Sequence, residues 1–561
     1  MDWHLPDAHA WQRARERGAA VLLLLEAPWC PYCKRQHETV WQDPAVQTAA
    51  QAFVCVRVAD STSGEFERLA MHGWPSLVLM DADGEPLNSS GPLTAEELAE
   101  RLGQWAADAK APAPPSRRKQ LREAGDAVST EVMARLLETA DPKYGGWGQR
   151  QKFPHPEALH FALVRWSREG DPATLRLVNG TLQHMQAGAI HDAVGGGFFR
   201  YARTPDWGEP CYQKMLDSNA QRLLAYAEAW QALGTESFRQ TGLGILDWMM
   251  QVLLDPATGA FHASQDEDAE YFRKGTLEAR ARMAAPPTDP NIYTDRNCDA
   301  VCALLKGSVA FQREDCREQA LRTLDFVLEH LYRPGHGALH VWNGQAKHGG
   351  LLGDQAALLR ALAWAVHYSG ERRYLEPARE LAETTLANYR KAADGSLVDQ
   401  LHDVQARGSL GERQSNLADN ARFAEALVRL SSMCEMPAWR RTAREILFAF
   451  RSDWKRFGNR IAEYGRAVDL LVHEPVEVTI VGARTSDAAQ ALRRAALRPY
   501  VASRIVQIVD PELDPPALQQ SGWPQPAPGE DAVAYLHQSG QSYGRTTDPA
   551  ALAGLMVRQG G

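Results

Sequence analysis

The chain has 561 residues, 44% of them hydrophobic and 23% charged, with a formal net charge of -9 at pH 7. This length allows two or three domains with substantial cores. The acidic balance leaves no basic surface for nucleic acid, and no apolar run is long enough to cross a membrane, so we expect neither partner.

The first 110 residues alternate between helix and strand patterns. Short apolar runs predict strands at Val21–Leu25, Val54–Val58 and Ser76–Met80, and a closing helix is predicted over 95–110. This alternation is typical of an α/β domain, predicted over 1–110. The proline-rich stretch that follows, with a basic cluster at its end, predicts a linker over 111–119.

A cysteine pair, Cys30-Pro31-Tyr32-Cys33, follows the first predicted strand and would begin a helix. The helix dipole and the second sulfur lower the pKa of the first thiol in such a turn, so we predict Cys30 as the nucleophile and Cys33 as the resolving thiol. The alternative is half of a zinc site, but the sequence has no second Cys-x-x-Cys to complete it. We therefore predict neither a metal nor a cofactor. With eight cysteines and one diagnostic pair, a reducing, cytoplasmic location is favoured.

A second motif, Trp74-Pro75, stands directly before the third predicted strand. It resembles the cis-proline loop that faces the dithiol in thioredoxins, so we expect a thioredoxin-like domain in which Pro75 acts with both cysteines. Four flanking residues are expected to support them: Trp29, Tyr32, Lys34 and Trp74. Thioredoxins carry a buried aspartate six residues before the first cysteine, where this chain has Leu24. Glu26 is nearby in sequence, but its distance from the first cysteine differs from that of the thioredoxin aspartate.

Beyond the linker the pattern changes to long amphipathic helices with an internal repeat. Helix pairs recur at intervals of roughly 55–75 residues, with Gly-rich turns between them, which predicts an (α/α)6 toroid over 120–474. Several helices open on an acidic residue: Asp217, Asp299, Asp354 and Asp419. The remaining 475–561 segment predicts a small α/β unit, with strands over 476–481 and 504–509.

The predicted toroid holds candidates for sugar chemistry, which needs two carboxylates for hydrolysis or histidines for epimerisation. The possible pocket residues are His191, Asp192, Tyr201, Trp207, Cys211, Lys214, Asp217, Asp266 and Asp268, with His155 nearby in sequence. Alternatives remain for several. Asp217, Asp354 and Asp419 suit helix N-caps. The aromatic residues could stack on a sugar or fill the core, and Cys211 could exchange with the dithiol or be a buried, inert thiol.

Motifs spread over most of the chain resemble the spermatogenesis-associated protein 20 / DUF255 family. The matching segments are Asp43-Pro-Ala-Val46, 141–148 with Lys152-Phe-Pro154, 192–198, Arg200-Tyr201, Trp207, Pro210, Lys214-Met-Leu216, Asn219-Ala220 and Gln265-Asp-Glu-Asp268. The resemblance implies a thioredoxin-like domain joined to a six-hairpin, glycosidase-like toroid. The chain departs from the family at three positions: Cys211 stands where a histidine is usual, Gln213 where a glutamate is usual, and Ser218 where an aspartate is usual. Its dithiol motif, Cys30-Pro-Tyr-Cys33, stands where the family usually has Cys-His-Trp-Cys.

These patterns favour a thiol–disulfide oxidoreductase whose toroid binds the substrate, a protein or a small-molecule thiol or disulfide. The alternative is a carbohydrate-binding or sugar-converting enzyme, hydrolase- or epimerase-like, with a vestigial redox domain and a carbohydrate-like ligand in the toroid. A third possibility is a scaffold that binds partners through both domains. Loss of the family's acidic and histidine side chains at Gln213 and Cys211 argues against hydrolysis.

Overall fold

The computed structural model describes residues 3–4, 8–26, 31–58, 75–81, 86–108, 117–401, 414–517, 523–538 and 541–560. Packing divides the chain into two compact units. One comprises 1–123, 474–496 and 504–555, and the other 124–473, 497–503 and 556–561. None of the helices in the described ranges has the length and apolarity needed to cross a bilayer.

A four-stranded sheet in the order β2-β1-β3-β4 forms the centre of the N-terminal domain. The strands are β1 (Val21–Leu25), β2 (Val54–Val58), β3 (Ser76–Met80) and β4 (Pro86–Ser90). Strand β1 runs parallel to β2 and antiparallel to β3. The three strands predicted from apolar runs are confirmed at their predicted bounds. Every residue of β1 is buried, as expected for a central strand covered on both faces.

Helices cover both faces of this sheet. They are α1 (Ala8–Arg17), α2 (Pro31–Thr39), α3 (Pro44–Ala50) and α4 (Ala95–Asp108). Alternate residues of β1 enter two separate cores. Leu22 and Leu24 pack with Trp41 and Trp105 on one face, while the odd-numbered residues pack against α1 on the other. The Asp43 carboxylate caps α3 by accepting the Ala45 N–H at 2.8 Å, which explains the Asp-Pro start of that helix.

The second unit is built from long helices. They are α5 (Arg117–Thr139), α6 (Pro156–Glu169), α7 (Pro172–Ala187), α8 (Leu216–Leu233), α9 (Glu236–Trp248), α10 (Ala269–Phe272), α11 (Leu277–Arg280), α12 (Thr294–Ala310), α13 (Glu314–Phe326), α14 (Leu352–Ser369), α15 (Leu375–Tyr389), α16 (Leu417–Met433), α17 (Pro437–Phe448) and α18 (Ile461–Val472). The basic cluster at 117–119, predicted as linker, instead begins α5, since arginine and lysine are good helix formers. Residues 109–116 lie outside the described part of the chain.

Six of these helices form a closed inner ring. Each of α6, α8, α12, α14, α16 and α18 packs on the next, and α18 packs on α6. Helices α7, α9, α13, α15 and α17 each pack on an inner helix from outside. Helix α5 lies against α18, where the Ser129 hydroxyl donates to the Gly465 carbonyl at 3.5 Å. The predicted (α/α)6 toroid is therefore confirmed.

Amide side chains at the start of the inner helices hold the loops that precede them. Asn219 in α8 accepts the Phe198 N–H at 2.7 Å and donates to the Phe198 carbonyl at 2.9 Å. Three other inner helices repeat this two-bond clamp: Asn297 with Phe261, Gln355 with Ala338, and Asn420 with Leu397. We call these contacts the amide clamps. They fix the backbone of each loop against the helix that follows it.

The loops between hairpins carry short strands. These are β5 (Lys214–Met215), β6 (Ser264–Gln265), β7 (Thr288–Asp289), β8 (Ile292–Tyr293), β9 (Tyr332–Arg333), β10 (Gly337–Trp342) and β11 (Ala346–Gly349). Strand β10 pairs with β8, β9 and β11, so this loop is the most regular of the series. It ends directly before inner helix α14.

The C-terminal segment forms its own four-stranded sheet in the order β13-β12-β14-β15. Its elements are β12 (Val476–Gly482), α19 (Asp487–Leu497), β13 (Arg504–Val509), β14 (Ala532–Gln538), β15 (Gln541–Thr546) and α20 (Pro549–Gly560). The predicted α/β character and both predicted strands are confirmed. The hairpin of β14 and β15 was not predicted.

Candidate functional site

One cysteine of the predicted dithiol, Cys33, lies in the helix that follows β1. Cys33 is in the first turn of α2 and is 4% exposed, in keeping with a resolving thiol. Trp29, Cys30 and Trp74, and the side chains of Tyr32 and Lys34, lie outside the described residues. The positions of the nucleophile and of the four supporting side chains therefore stay predictions.

Pro75 lies at the end of the sheet where β1 ends. It is buried and stands directly before β3, whose first residue, Ser76, pairs with Leu25 at the end of β1. Because β1 and β3 are antiparallel, Pro75 begins one strand where the other runs into the turn before α2. Pro75 and the end of β1, after which the dithiol motif follows in sequence, thus lie at one edge of the sheet.

A buried carboxylate ends β1 at this edge. Glu26 is 2% exposed, and its Oε2 accepts the Arg57 Nε–H at 2.5 Å. Its Oε1 has no hydrogen-bond partner among the described residues and lies 3.9 Å from Nδ1 of His37, one helical turn after Cys33. Leu24, at the position of the usual thioredoxin aspartate, is in the apolar core. A buried carboxylate is therefore present two residues after Leu24.

In the toroid, Asp192 and Lys214 form a closed ionic cluster with Arg280. The Lys214 ammonium donates to Asp192 Oδ2 at 2.6 Å and to the Gly196 carbonyl at 2.7 Å. Arg280 donates to both Asp192 oxygens at 2.8 Å. Although burial opposes it, the contacts with Arg280 and Lys214 lower the pKa of Asp192 to about 2, and burial lowers that of Lys214 to about 8. The cluster carries one excess positive charge, and its hydrogen bonds hold the loop.

The same arrangement occurs one hairpin earlier. Lys152 is fully buried and donates to Asp141 Oδ2 and to the Gly145 carbonyl, both at 2.6 Å. In both loops the lysine therefore bridges an aspartate and the carbonyl of the residue four positions after it. Two of the motifs that resemble the family therefore form the same set of contacts.

Four other predicted pocket residues lie around these loops. Trp207 is fully buried and donates from Nε1 to the Tyr144 carbonyl at 2.9 Å, so it is a core residue. His191 stacks on buried Phe198, and burial lowers the pKa of its ring. Tyr201 is half-buried and stacks on Phe153 at 4.9 Å. Cys211 is buried, with its Sγ 3.4 Å from Glu267 Oε2.

In the acidic segment at 265–268, one aspartate caps a helix and the other is exposed. Asp266 is exposed, and Asp268 caps α10 by accepting the Tyr271 N–H at 2.9 Å. No ion pair joins either to a lysine or arginine among the described side chains.

Each inner helix carries a carboxylate in its first turn. The six residues are Glu157, Asp217, Asp295, Asp354, Asp419 and Glu463. The N-cap interpretation of three of them was wrong: the cap positions are Met215, Leu351 and Asn416. The expectation that Asp299 opens a helix was also wrong, because α12 begins at Thr294 and places Asp295 in that position.

A small polar cavity of about 10 Å³ lies among the inner helices, enough for one water molecule. It is lined by Glu157, His160, Ala220, Gln221, Leu224, Asp299, Arg360, Glu463 and Arg466. Asp299 accepts a hydrogen bond from Arg360, and Arg422 donates to Glu463 at 2.5 Å. None of the predicted pocket residues lines this cavity. Nε2 of buried His160 lacks a partner among the described residues, so the cavity offers a polar ligand one donor or acceptor.

A second acidic cluster lies at the starts of α12 and α14. The ring Nδ1 of His340, in β10, is 3.0 and 3.1 Å from the two oxygens of Asp354, which is 1% exposed. Asp295 approaches the same pair, and one ligand atom from each of the three residues lies within 4.8 Å of the others. Burial and the charges of Asp354 and Asp299 raise the pKa of Asp295. We call these three residues the Asp-His-Asp cluster.

Sequence reasoning missed Asp295 and His340. A signal for Asp295 was present, since Asp295-Arg-Asn297 repeats the spacing of Asp217-Ser-Asn219 at the start of another inner helix. No local pattern marked His340, which reaches the cluster through the pairing of β10 with β8.

Comparisons with known proteins agree with this architecture. Residues 8–106 match the family described as thioredoxin-like domain. Human spermatogenesis-associated protein 20 is 25% identical over 309 residues, which cover 48% of this chain and 39% of the human protein. The mouse protein is 24% identical over the same shares. The resemblance to this family is confirmed. The match spans well under half the length of these curated relatives.

Solved structures identify the fold of the toroid. Cellobiose 2-epimerase from Spirochaeta thermophila is 16% identical with a TM-score of 0.52, covering 64% of this chain and all of that one. A D-mannose isomerase is 11% identical with a TM-score of 0.51, covering 64% of this chain and 99% of its own. At this identity the likeness concerns the fold alone.

Proposed function

We propose that the protein is a thiol–disulfide oxidoreductase in which Cys30 and Cys33 exchange with a substrate disulfide. One observation carries the proposal: Cys33 is buried in the first turn of α2, at the sheet edge where Pro75 begins β3. A thiol in this position is shielded from external disulfides but can reach a partner three residues earlier on the same turn.

The proposed reaction has two steps. The Cys30 thiolate attacks one sulfur of the substrate disulfide, the S–S bond breaks, and the other substrate sulfur leaves as a thiol after taking a proton. The Cys33 thiol then loses its proton and attacks Cys30, which releases the second substrate thiol. The substrate gains two electrons and the protein becomes oxidised, and the reverse sequence oxidises a dithiol.

We assign the proton of Cys33 to Glu26, with His37 as its neighbour. The buried Glu26 carboxylate ends the strand that leads into the dithiol turn, and its Oε1 has no hydrogen-bond donor among the described residues. A carboxylate with an unused acceptor atom in a dry environment is suited to accept a proton. Glu26→Gln is expected to slow the second step about 10- to 100-fold and leave the first step unchanged. Rapid quenching with acid separates the two steps, and an equal effect on both would contradict the assignment.

The substrate of this dithiol is proposed to be a protein or a small molecule carrying a thiol or disulfide, selected by the toroid. The spacing of the cysteines favours a reducing compartment, the cytoplasm, as the site of action. Three described cysteines of the toroid are weak competitors by their chemistry: burial raises the pKa of Cys302 and of Cys316 to about 12, and that of Cys434 to about 11. Such thiols are poor nucleophiles near neutral pH.

Trapping with single variants tests the proposal. With oxidised glutathione, Cys33→Ala is expected to keep one glutathione bound, as seen by intact mass, while Cys30→Ala keeps none. Cys55→Ala, which removes a buried cysteine of β2, is the matched control and should behave as wild type. If neither Cys30 nor Cys33 in the folded protein reacts with an alkylating agent, the proposal fails.

A second candidate is a carbohydrate-binding or sugar-converting enzyme. The observation that favours it is a ring of inner helices that each carry a first-turn carboxylate, in a toroid whose fold resembles a sugar epimerase and a sugar isomerase. Asp192 is not its acid, because three hydrogen bonds from Lys214 and Arg280 hold it ionised. A library of mono- and disaccharides should raise the melting temperature of wild type. A library without any thermal shift would remove this candidate.

A further inference from the structure

The Asp-His-Asp cluster is built from three different elements that converge on one point. Asp295 comes from the first turn of α12, Asp354 from the first turn of α14, and His340 from the middle of β10. These elements pack on one another in pairs. Among the described residues this is the one group of three potential ligand side chains this close together. Convergence of distant segments on a shared point is typical of a binding site.

The backbone on either side of the cluster is fixed by neighbours of its members. Thr294, directly before Asp295, donates to the Leu339 carbonyl at 2.5 Å. Gln355, directly after Asp354, makes the amide clamp with Ala338, two residues before His340. The donor side chains are therefore held in place before any ligand arrives, which lowers the entropic cost of binding.

The charges of the cluster are not balanced. Two carboxylates face one imidazole, so the cluster has excess negative charge whether or not the ring carries a proton. Within the described ranges, no lysine or arginine forms an ion pair with Asp295 or Asp354. The neighbouring Asp299 is neutralised by Arg360, and the Arg296 guanidinium lies over the Tyr293 ring. A cation is the group that would balance the charge.

A buried hydroxyl adds a second, independent observation. Tyr389, the last residue of α15, is 3% exposed, and its hydroxyl has no hydrogen-bond partner among the described residues. Burial raises the pKa of this hydroxyl, and the Asp354 charge adds to the rise. A buried hydroxyl is expected to have a partner. A water molecule bound to an ion at the cluster would provide one.

We propose that Asp295, His340 and Asp354 bind one divalent transition cation, zinc or manganese(II). Carboxylate oxygens together with one imidazole nitrogen suit these ions, while calcium and magnesium favour oxygen ligands alone. Three protein ligands leave a coordination position for water, the usual form of a reactive rather than a purely structural site. The ring of His340 is 29% exposed and gives the ion an entry path. This site is independent of the proposed thiol chemistry.

Calorimetry on the full-length chain tests the proposal. The background protein carries Cys30→Ser and Cys33→Ser, because a dithiol also binds zinc. After removal of metals with a chelator, it is titrated with zinc and manganese(II) chlorides, and with magnesium and calcium for comparison. One equivalent of zinc or manganese is expected to bind, with weaker binding of the other two ions.

Variants in this background locate the site. His340→Gln and Asp354→Asn are expected to weaken binding by at least about tenfold. Asp419→Asn, which changes the first-turn carboxylate of the next inner helix, should bind within about twofold of the background. Cobalt(II) spectra provide a second measurement, since loss of a nitrogen ligand changes the visible bands. Melting curves identify any variant that does not fold, and for such a variant Asp295→Asn takes its place.

Three results would overturn the proposal. They are the absence of one-equivalent binding below millimolar concentration, equal affinity in the background and in folded His340→Gln, and preference for magnesium or calcium. Any of them would leave the cluster as a hydrogen-bonded Asp–His pair with a nearby acid. None of them bears on the dithiol, because both cysteines are absent from the background.

Discussion

Two charged clusters in the toroid share a position and differ in net charge. Both lie where a loop meets the start of an inner helix, and in both a buried aspartate meets a basic side chain. Around Asp192, Lys214 and Arg280 together satisfy one carboxylate. Around Asp354, one imidazole faces two carboxylates. The first cluster is therefore suited to holding the fold together, and the second to receiving a further positive charge.

The sharpest way to break the first cluster is Asp192→Asn. The change leaves the Lys214 ammonium and the Arg280 guanidinium buried without an anion, and we expect a loss of about 3–5 kcal/mol. Chemical denaturation monitored by circular dichroism measures it. Asp266→Asn, an exposed neighbour in sequence, is the control and should change stability by less than about 0.5 kcal/mol. Equal effects of both variants would show that the cluster is not structural.

Acid should weaken the first cluster in a defined range. The pKa of Asp192 is about 2 in the folded protein, against 3.8 as the ordinary value. Its contribution is therefore complete above pH 3.8 and is lost as the pH falls through 2, which amounts to about 2 kcal/mol. The stability difference between wild type and Asp192→Asn should shrink by this amount between pH 5 and pH 2. A constant difference would contradict the shift.

Lys152→Met tests the related loop one hairpin earlier, with a smaller expected effect. Asp141 is 16% exposed and also accepts two backbone N–H groups, from Lys143 and Tyr144, so its charge stays solvated after the change. We expect a loss of about 1–2 kcal/mol in the denaturation experiment. Lys214→Met is the matched variant in the more buried loop and should cost more. The reverse order would argue against burial as the deciding factor.

The second cluster should respond with the opposite sign. In metal-free protein, Asp295→Asn removes the repulsion between two neighbouring carboxylates, and we expect a gain in stability of about 1 kcal/mol. Melting curves in the presence of a chelator measure this effect. Excess zinc should reverse the order, because wild type then gains binding energy that the variant lacks. Destabilisation of the metal-free variant would mean that the charges are already balanced.

Local patterns in the sequence were enough to predict most of the fold. The apolar runs at Val21–Leu25 and Arg504–Val509 end at turn residues, and both strands have the predicted bounds. The helical repeat was strong enough to indicate the toroid. Strands β14 and β15 were missed, although the apolar run at 532–536 is a local signal for β14.

The candidate sites were harder to predict, because a buried charged residue can hold the fold together through its contacts and take no part in chemistry. Asp192 and Lys214 have the composition of an active site, but their mutual contacts use up their hydrogen-bonding capacity. Asp354 was interpreted as a helix cap, yet the amide of the following residue secures that end of the helix. His340 meets Asp354 only because β10 folds back beside α14, a long-range contact without a local signature.

The amide clamps have a consequence for how this chain can change over evolutionary time. Because Asn219, Asn297, Gln355 and Asn420 each bind one backbone segment, the placement of these four loops depends in part on the helix that follows each of them. Substitutions such as those at Cys211 and Gln213 can then accumulate without displacing the loop. The side chains of one clamped loop can therefore change separately from those of the others. New chemistry can then arise on one hairpin while the remaining hairpins keep their structure.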